Sequence, residues 1–189
     1  MPLVNGRYGP KNPAWLLAGM PAGLSRENFG RMQVLADSAA LTSGVMLATA
    51  LPLYAGDLVS SLTFHSGSVA AASPTNWWFA LFDDSATPQF LAQSVDQGSA
   101  AWAANTAVTL PMSAQQQIVR NGIYYAALMV KAATPPSILG LATLTGGVVG
   151  YTAADKLLTS NSGSTLAGTA PGTIASPAAS AFVPRVLAS

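Results

Sequence analysis

Residues 74–125 constrain the fold more than any other part of the chain. This stretch holds three of the four tryptophans and two of the five tyrosines, and large aromatic side chains bury the most apolar area per residue. Inside it, the apolar run 77–82 leads into a polar turn at 83–85, and a second apolar run begins at Phe90. Two apolar runs joined by a short polar loop predict a β-hairpin at this place.

The first strand of this hairpin is predicted to be apolar on both faces. Successive side chains of a strand point to opposite faces. One face therefore carries Trp77, Phe79 and Leu81, and the other carries Trp78, Ala80 and Phe82. A strand of this kind lies either between two layers of the same chain or with one face against a partner subunit, and the sequence leaves both open.

Short runs with strand character continue along the rest of the chain. They are residues 32–36, 45–53, 59–64, 106–110, 122–131, 137–142 and 181–187. Many short strands with turn signals and almost no helical period predict an all-β fold, an antiparallel β-sandwich. We expect the core of the sandwich at residues 32–142. Residues 143–189 are predicted to form a long loop, rich in Gly, Ser, Thr and Ala, that returns to the sheet as a final strand.

Residues 1–31 are predicted to form an extended N-terminal arm. Proline and glycine recur too often for regular structure, apart from one helical turn at 25–32 that Ser25 could cap. The segment contains four of the eight basic residues together with aromatic side chains, which a disordered tail usually lacks. We interpret it as an arm that docks on another subunit. Its candidate docking residues are Arg7, Tyr8, Lys11, Trp15, Leu16, Arg26, Phe29 and Arg31.

The scarcity of charge restricts the possible partners. Charged residues make up 8% of the chain, against about 25% in an average soluble domain. A surface so poor in charge favours association, either with a membrane or with protein neighbours. No segment has the ~20 consecutive apolar residues of a membrane span, so protein neighbours are the expected partners. Eight basic residues are too few for a nucleic-acid surface, and the absence of cysteine excludes disulfides and thiolate metal sites.

The sequence predicts no catalytic residue, no metal site and no cofactor. His65 is the single histidine, and no motif supplies the acid and nucleophile that a catalytic triad requires. Asp83 and Asp84 are neighbours that point in opposite directions on a strand, so they are expected to begin a turn rather than to serve one cleft with Asp96. A polysaccharide-cleaving enzyme using these carboxylates is the remotest alternative.

The three clustered tryptophans have two possible roles. Trp77, Trp78 and Trp102 either form part of the core or provide a platform on which a glycan stacks. Their position inside apolar runs favours the core.

Four short stretches of the chain resemble a known group of proteins. Residues 74–83, 93–106, 122–125 and 129–132 are similar to virion proteins of tailed bacteriophages that infect actinobacteria, described as head decoration or minor tail proteins. The run Gly122-Ile123-Tyr124-Tyr125 also resembles a late strand of the trimeric jelly-roll domains of the tumour-necrosis-factor type. The resemblance covers about residues 31–145 and implies a jelly-roll-like sandwich, a homotrimer, and the major capsid protein as partner.

The function implied by this resemblance is structural rather than enzymatic. We expect a capsid decoration protein that lies on the exterior of the virion, is assembled in the host cytoplasm, and stabilises the head through contacts with the capsid protein and with copies of itself. The alternative is a minor tail or receptor-binding protein that recognises host surface glycans through exposed aromatic side chains. Neither role involves nucleic acid or a membrane.

Overall fold

The computed structural model describes residues 25–34, 36–142 and 156–189. Within these ranges the chain is almost entirely β-structure, with one short 3₁₀ turn at Arg31–Gln33. The strands, in chain order, are β1 (Arg26–Glu27), β2 (Ala36–Asp37), β3 (Met46–Leu53), β4 (Leu58–His65), β5 (Ala72–Phe82), β6 (Phe90–Gln93), β7 (Ala107–Gln117), β8 (Gly122–Thr134), β9 (Leu139–Ala142), β10 (Thr159–Ser162), β11 (Ala178–Ala179), β12 (Phe182–Pro184) and β13 (Val186–Ala188). The predicted all-β class is confirmed.

The strands form two large antiparallel sheets and one small one. The larger sheet has the order β11-β10-β3-β8-β5-β6, and the four-stranded sheet has the order β1-β13-β4-β7. A three-stranded sheet, β12-β9-β2, adjoins them. The two larger sheets enclose a common core, so the fold is the antiparallel β-sandwich that the sequence predicts.

The central strands pair in a nested order. β3 pairs with β8, β4 pairs with β7, and β5 pairs with β6, as in a long hairpin folded over on itself. The pair β4–β7 belongs to the four-stranded sheet, and the pairs β3–β8 and β5–β6 belong to the six-stranded sheet. A jelly roll has eight strands in two sheets, whereas three nested pairs supply six. The jelly-roll relation therefore stays a prediction.

The core between the sheets is built around aromatic rings. Trp77 and Phe79 point inward from β5, because alternate side chains of a strand share a face. Phe79 contacts Phe64 of β4 with ring centroids 4.8 Å apart, and it contacts Trp102 with centroids 5.4 Å apart. Trp77 stacks on Trp102 at 5.1 Å. This aromatic cluster joins the two sheets at their centre.

The outer face of the six-stranded sheet is also buried, and the chain itself covers it. Residues 163–177, which we name the C-terminal cover, lay Leu166, Ala170 and Ile174 over a second apolar cluster. The sheet side of that cluster consists of Met46, Ala48, Ala50, Trp78, Ala80, Phe82, Tyr125, Ala127 and Met129. Strand β5 therefore lies between two layers of its own chain, the first of the two arrangements that its sequence allows.

Three connections meet at one end of the sandwich, which we name the loop end. They are residues 54–57, 83–89 and 118–121, which follow β3, β5 and β7. Hydrogen bonds brace two of these connections: the Gly56 amide donates to the Ile118 carbonyl, and the Ile118 amide donates to the Asp57 carbonyl, each at 2.8 Å. The Ala55 amide donates to Oδ1 of Asn121 at 2.9 Å. The backbone of this end is therefore largely fixed.

Several local predictions were wrong at their boundaries. The helical turn expected at 25–32 contains strand β1, which pairs with β13, and its 3₁₀ turn begins only at residue 31. The runs expected at 77–82 and 106–110 are parts of longer strands, because β5 begins before Pro74 and β7 continues past Pro111. Both prolines lie beside irregularities in strand pairing, which is where a strand tolerates the missing N–H.

The small sheet depends on a glycine at its centre. A Cβ on Gly140 would lie 2.2 Å from the Val183 carbonyl oxygen and 2.9 Å from the Phe182 ring. Gly140→Ala should therefore force β9 and β12 apart and lower the free energy of unfolding by about 1–3 kcal/mol. Urea unfolding monitored by tryptophan fluorescence measures this. Gly172→Ala, where an added Cβ meets nothing within 4 Å, is the matched control. Equal stability of the two variants would contradict the close approach of Gly140 to Val183 and Phe182.

Candidate functional site

The predicted docking residues fall into two groups. Arg7, Tyr8, Lys11, Trp15 and Leu16 lie outside the described residues. Phe29 is half-buried, and the backbone of Arg31 begins the 3₁₀ turn. The structure therefore locates only the last part of the predicted arm, and this part packs on the sandwich of its own chain.

Arg26, another predicted docking residue, makes its polar contacts within the chain. Its Nε and Nη2 donate to the two carboxylate oxygens of Asp57, each at 2.7 Å. The guanidinium also lies 4.9 Å from the centre of the Tyr54 ring. Burial alone would raise the pKa of Asp57, but the hydrogen bonds from Arg26 and from the Tyr54 amide lower it below its ordinary value of 3.8. Arg26 thus attaches the start of the described chain to the loop end.

A second ion pair fixes the same segment to the C-terminus. Nη2 of Arg185 donates to Oε2 of Glu27 at 2.7 Å, and both side chains are almost completely buried. Asn28 donates to the Pro184 carbonyl at 2.8 Å and accepts from the Val186 amide at 3.1 Å. Removing one partner of a buried ion pair typically costs about 3–5 kcal/mol. Residues 25–29 are therefore an integral part of the fold.

The three clustered tryptophans are core residues with satisfied indole N–H groups. Trp77, Trp78 and Trp102 are all buried. Their Nε1 atoms donate to backbone carbonyls, those of Ala100 at 2.9 Å, Ala167 at 2.6 Å and Thr106 at 3.4 Å respectively. A glycan platform requires an open ring face. None of these three residues offers one, so glycan recognition would need a different surface.

His65 has no acidic partner among the described residues. It ends β4 beside Arg185, and its Nδ1 is buried without a hydrogen-bond partner within the described part of the chain, as is Nε of Arg185. Burial lowers the pKa of His65, and the positive charge of Arg185 lowers it further. A triad-type base is held by a carboxylate. The environment of His65 instead keeps the imidazole neutral.

Every described carboxylate accepts a hydrogen bond from its own chain. Asp83 accepts from the Ser85 hydroxyl and from the amides of Ser85 and Gln89, which makes it the turn-forming residue that the sequence predicts. The other pairs are Glu27–Arg185, Asp37–Ser68, Asp57–Arg26, Asp84–Arg120 and Asp96 with Asn76 and the amides of Trp77 and Gly98. In these contacts the carboxylate oxygens close turns and join segments that are distant in sequence.

Most described cations are engaged in the same way. Arg26, Arg120 and Arg185 form ion pairs, and Nζ of Lys156 donates to the carbonyls of Asp84 and Ser85. Lys131 is exposed on β8. The described surface therefore presents almost no unpaired charge. The composition indicates that charge is scarce. It does not indicate that the few charges pair internally, since the partners lie 31 to 158 residues apart.

The described ranges contain no cluster of three or more His, Asp or Glu side chains that could hold a metal ion. They also contain no helix long and apolar enough to cross a membrane.

Comparison with known proteins assigns no family. No protein-family model matches the chain, and no curated protein matches it either.

The half-buried His65 predicts a loss of stability in mild acid. Its folded pKa is lowered from the ordinary 6.5, so protonation favours the unfolded chain. The free energy of unfolding should be constant above pH 6.5 and fall as the pH drops through the lowered folded pKa. Urea unfolding between about pH 7.5 and 5 measures the effect, and the His65→Gln variant should lack this part of the slope. Asp37, Asp57 and Asp83, whose pKa values are lowered from 3.8, add a separate loss at more acid pH. An identical slope in the variant above pH 5 would contradict the assignment.

Proposed function

We propose that the protein is a structural subunit of a bacteriophage particle, bound to the outside of the head as a decoration protein. Its partners in this role are the major capsid protein and other copies of the same chain, in a homotrimer. Its action is mechanical: contacts repeated over a symmetric shell add up and hold the shell together.

The observation that carries this proposal is the internal pairing of the charges. With carboxylates and most cations satisfied inside the chain, the exposed surface is close to neutral. Such a surface has little electrostatic repulsion from a neighbour, and contact with it removes apolar area from water at about 25 cal/mol per Å². A protein that works freely dispersed usually keeps a net-charged surface for solubility. Lasting contact with other proteins is the function that this surface suits.

Two further observations support the proposal. The nested pairing of the six strands from β3 through β8 agrees with the jelly-roll relation that the resemblance implies. Residues 1–24 precede the segment 25–29, which two ion pairs attach to the sandwich. A force on an arm formed by residues 1–24 would therefore be transmitted to the folded domain. This suits the role of an arm that grips a capsid subunit.

The copy number in purified particles tests the location. A decoration protein should be present at up to hundreds of copies per particle, on the order of the number of shell subunits. Quantitative mass analysis of particles against the major capsid protein measures this ratio. A few copies per particle would place the protein in the tail instead, and its absence from particles would refute a virion role.

The attachment role of residues 1–24 is tested by deletion. Removing these residues keeps Arg26 and Glu27, so the truncated protein should unfold at the same urea concentration as the full chain. It should fail to join particles when supplied together with the other virion proteins. Met32→Ala, which changes an exposed apolar residue outside the deleted segment, should join normally. Full incorporation of the truncated protein would show that attachment runs through the sandwich.

A further inference from the structure

Both ends of the described chain meet on the four-stranded sheet. β13 lies between β1 and β4, and among the described strands β1 pairs only with β13. We name β1 and β13 the terminal strands. They have two and three residues, whereas β4 has eight and pairs with β7 along most of its length. A repulsion between β13 and β4 is therefore relieved most easily by movement of the terminal strands.

A small ionic cluster lies at this junction. Val186 pairs with Phe64, so Arg185 and His65 are the next opposite residues in the same register. Opposite residues of an antiparallel pair share a face and have Cβ atoms about 4.5–5.5 Å apart. The charge of Arg185 contributes to lowering the pKa of His65, which agrees with this proximity. Nη2 of Arg185 also makes the ion pair with Glu27 of β1. The cluster thus spans β4, the start of β13, and β1.

Two buried polar atoms of this cluster have no hydrogen-bond partner within the described part of the chain. They are Nδ1 of His65 and Nε of Arg185. In the neutral imidazole one nitrogen is an acceptor, which is compatible with a neighbouring guanidinium N–H. In the protonated imidazole both nitrogens are donors, so two donors and two positive charges then lie side by side. The cluster therefore suits the neutral ring and opposes the charged one.

The other charges around His65 are already engaged by the chain. Of the described strands next to it, β4, β7, β9 and β12 carry no charged residue apart from His65 itself. β1 contributes Arg26 and Glu27, which form the two ion pairs described above. β2 contributes Asp37, whose carboxylate accepts from the turn that follows β4. Arg185 is thus the charge that opposes protonation of His65.

We propose that protonation of His65 is a switch that separates the terminal strands from β4. Repulsion between the imidazolium and Arg185 is relieved when β13 leaves β4, and β1 leaves with it because the two are paired. Residues 1–24 are joined to the sandwich through β1, so acid loosens the attachment of that segment. Global unfolding also exposes His65, but the switch is a partial opening in which β3 to β8 stay folded. This inference does not depend on the virion role.

The Arg26–Asp57 pair is a second anchor that limits the opening. It does not involve His65, and it attaches β1 to the loop end through two hydrogen bonds. Because the pKa of Asp57 is lowered from 3.8, this carboxylate stays ionised between about pH 7.5 and 5. The second anchor is therefore constant over the range in which His65 titrates.

Hydrogen exchange of the purified full-length protein, followed by mass spectrometry between about pH 7.5 and 5, measures the opening. Peptides that cover residues 25–29 and 185–189 report on the terminal strands, and peptides from β8 report on the rest of the domain. After correction for the intrinsic exchange rate, the opening constant of the terminal strands should be unchanged above the ordinary histidine pKa of 6.5. Below it the constant should rise by up to about tenfold per pH unit, until the pH passes the lowered folded pKa.

Two variants separate the switch from the second anchor. His65→Gln keeps a polar side chain but has no titratable group, so its opening should not depend on pH in this range. His65→Asn serves the same purpose if His65→Gln does not fold. Arg26→Gln removes the other ion pair, so its opening should increase at every pH while the rise in acid remains. Thermal unfolding at about pH 7.5 establishes that each variant is folded.

The proposal is overturned if the opening constant of the terminal strands does not change over this pH range, because the protonated ring would then have turned into water without disturbing Arg185. A rise that persists in His65→Gln would overturn it as well, since another group would be titrating. Equal protection of the terminal strands and of β8 at every pH would also overturn it, because only unfolding of the whole domain would then respond to the proton.

Discussion

The burial of both faces of β5 is the constraint on which the rest of the structure depends. Burying a tryptophan removes 150–250 Å² from water, or about 4–6 kcal/mol at 25 cal/mol per Å². Trp77 and Trp78 point to opposite faces, so each needs its own cover. The four-stranded sheet supplies one cover and residues 163–177 supply the other. The chain therefore has to return across its own sheet after β8, and the long Gly, Ser, Thr and Ala-rich segment is the part that does so.

The cover can be built from small residues because several residues of the sheet beneath it are alanines. Ala48, Ala50, Ala80 and Ala127 lie in the outer face and allow the backbone of the cover to come close. Specific hydrogen bonds then hold it: the Leu166 amide donates to the Gly44 carbonyl, and the side chain of Gln93 both donates to the Gly168 carbonyl and accepts from the Ala170 amide. A thin layer with three apolar anchors is thus sufficient to close the second core.

The sequence predicted the elements better than their arrangement. The apolar runs at 45–53, 59–64 and 122–131 became β3, β4 and β8 because their patterns are local properties of the chain. The cover was not predicted, since its composition resembles that of a linker and its partners lie on strands far away in sequence. The same holds for the Glu27–Arg185 pair, whose members are 158 residues apart, and for Arg26, whose charge suggested a docking role. Pairing between distant residues is set by topology, which composition and periodicity do not specify.

The two neighbouring indoles also decide how β5 is aligned. A slip of one residue exchanges the faces of a strand, and here both faces are aromatic, so hydrophobicity alone would penalise the slip weakly. The indole nitrogens distinguish the two registers more strongly, because Nε1 of Trp77 donates to the Ala100 carbonyl and Nε1 of Trp78 donates to the Ala167 carbonyl. If β5 shifted by one residue, both indole N–H groups would be buried without an acceptor. Each unsatisfied donor would cost about 1–3 kcal/mol. In this apolar core, the hydrogen bonds of two indole nitrogens therefore favour the observed register of β5 over the register shifted by one residue.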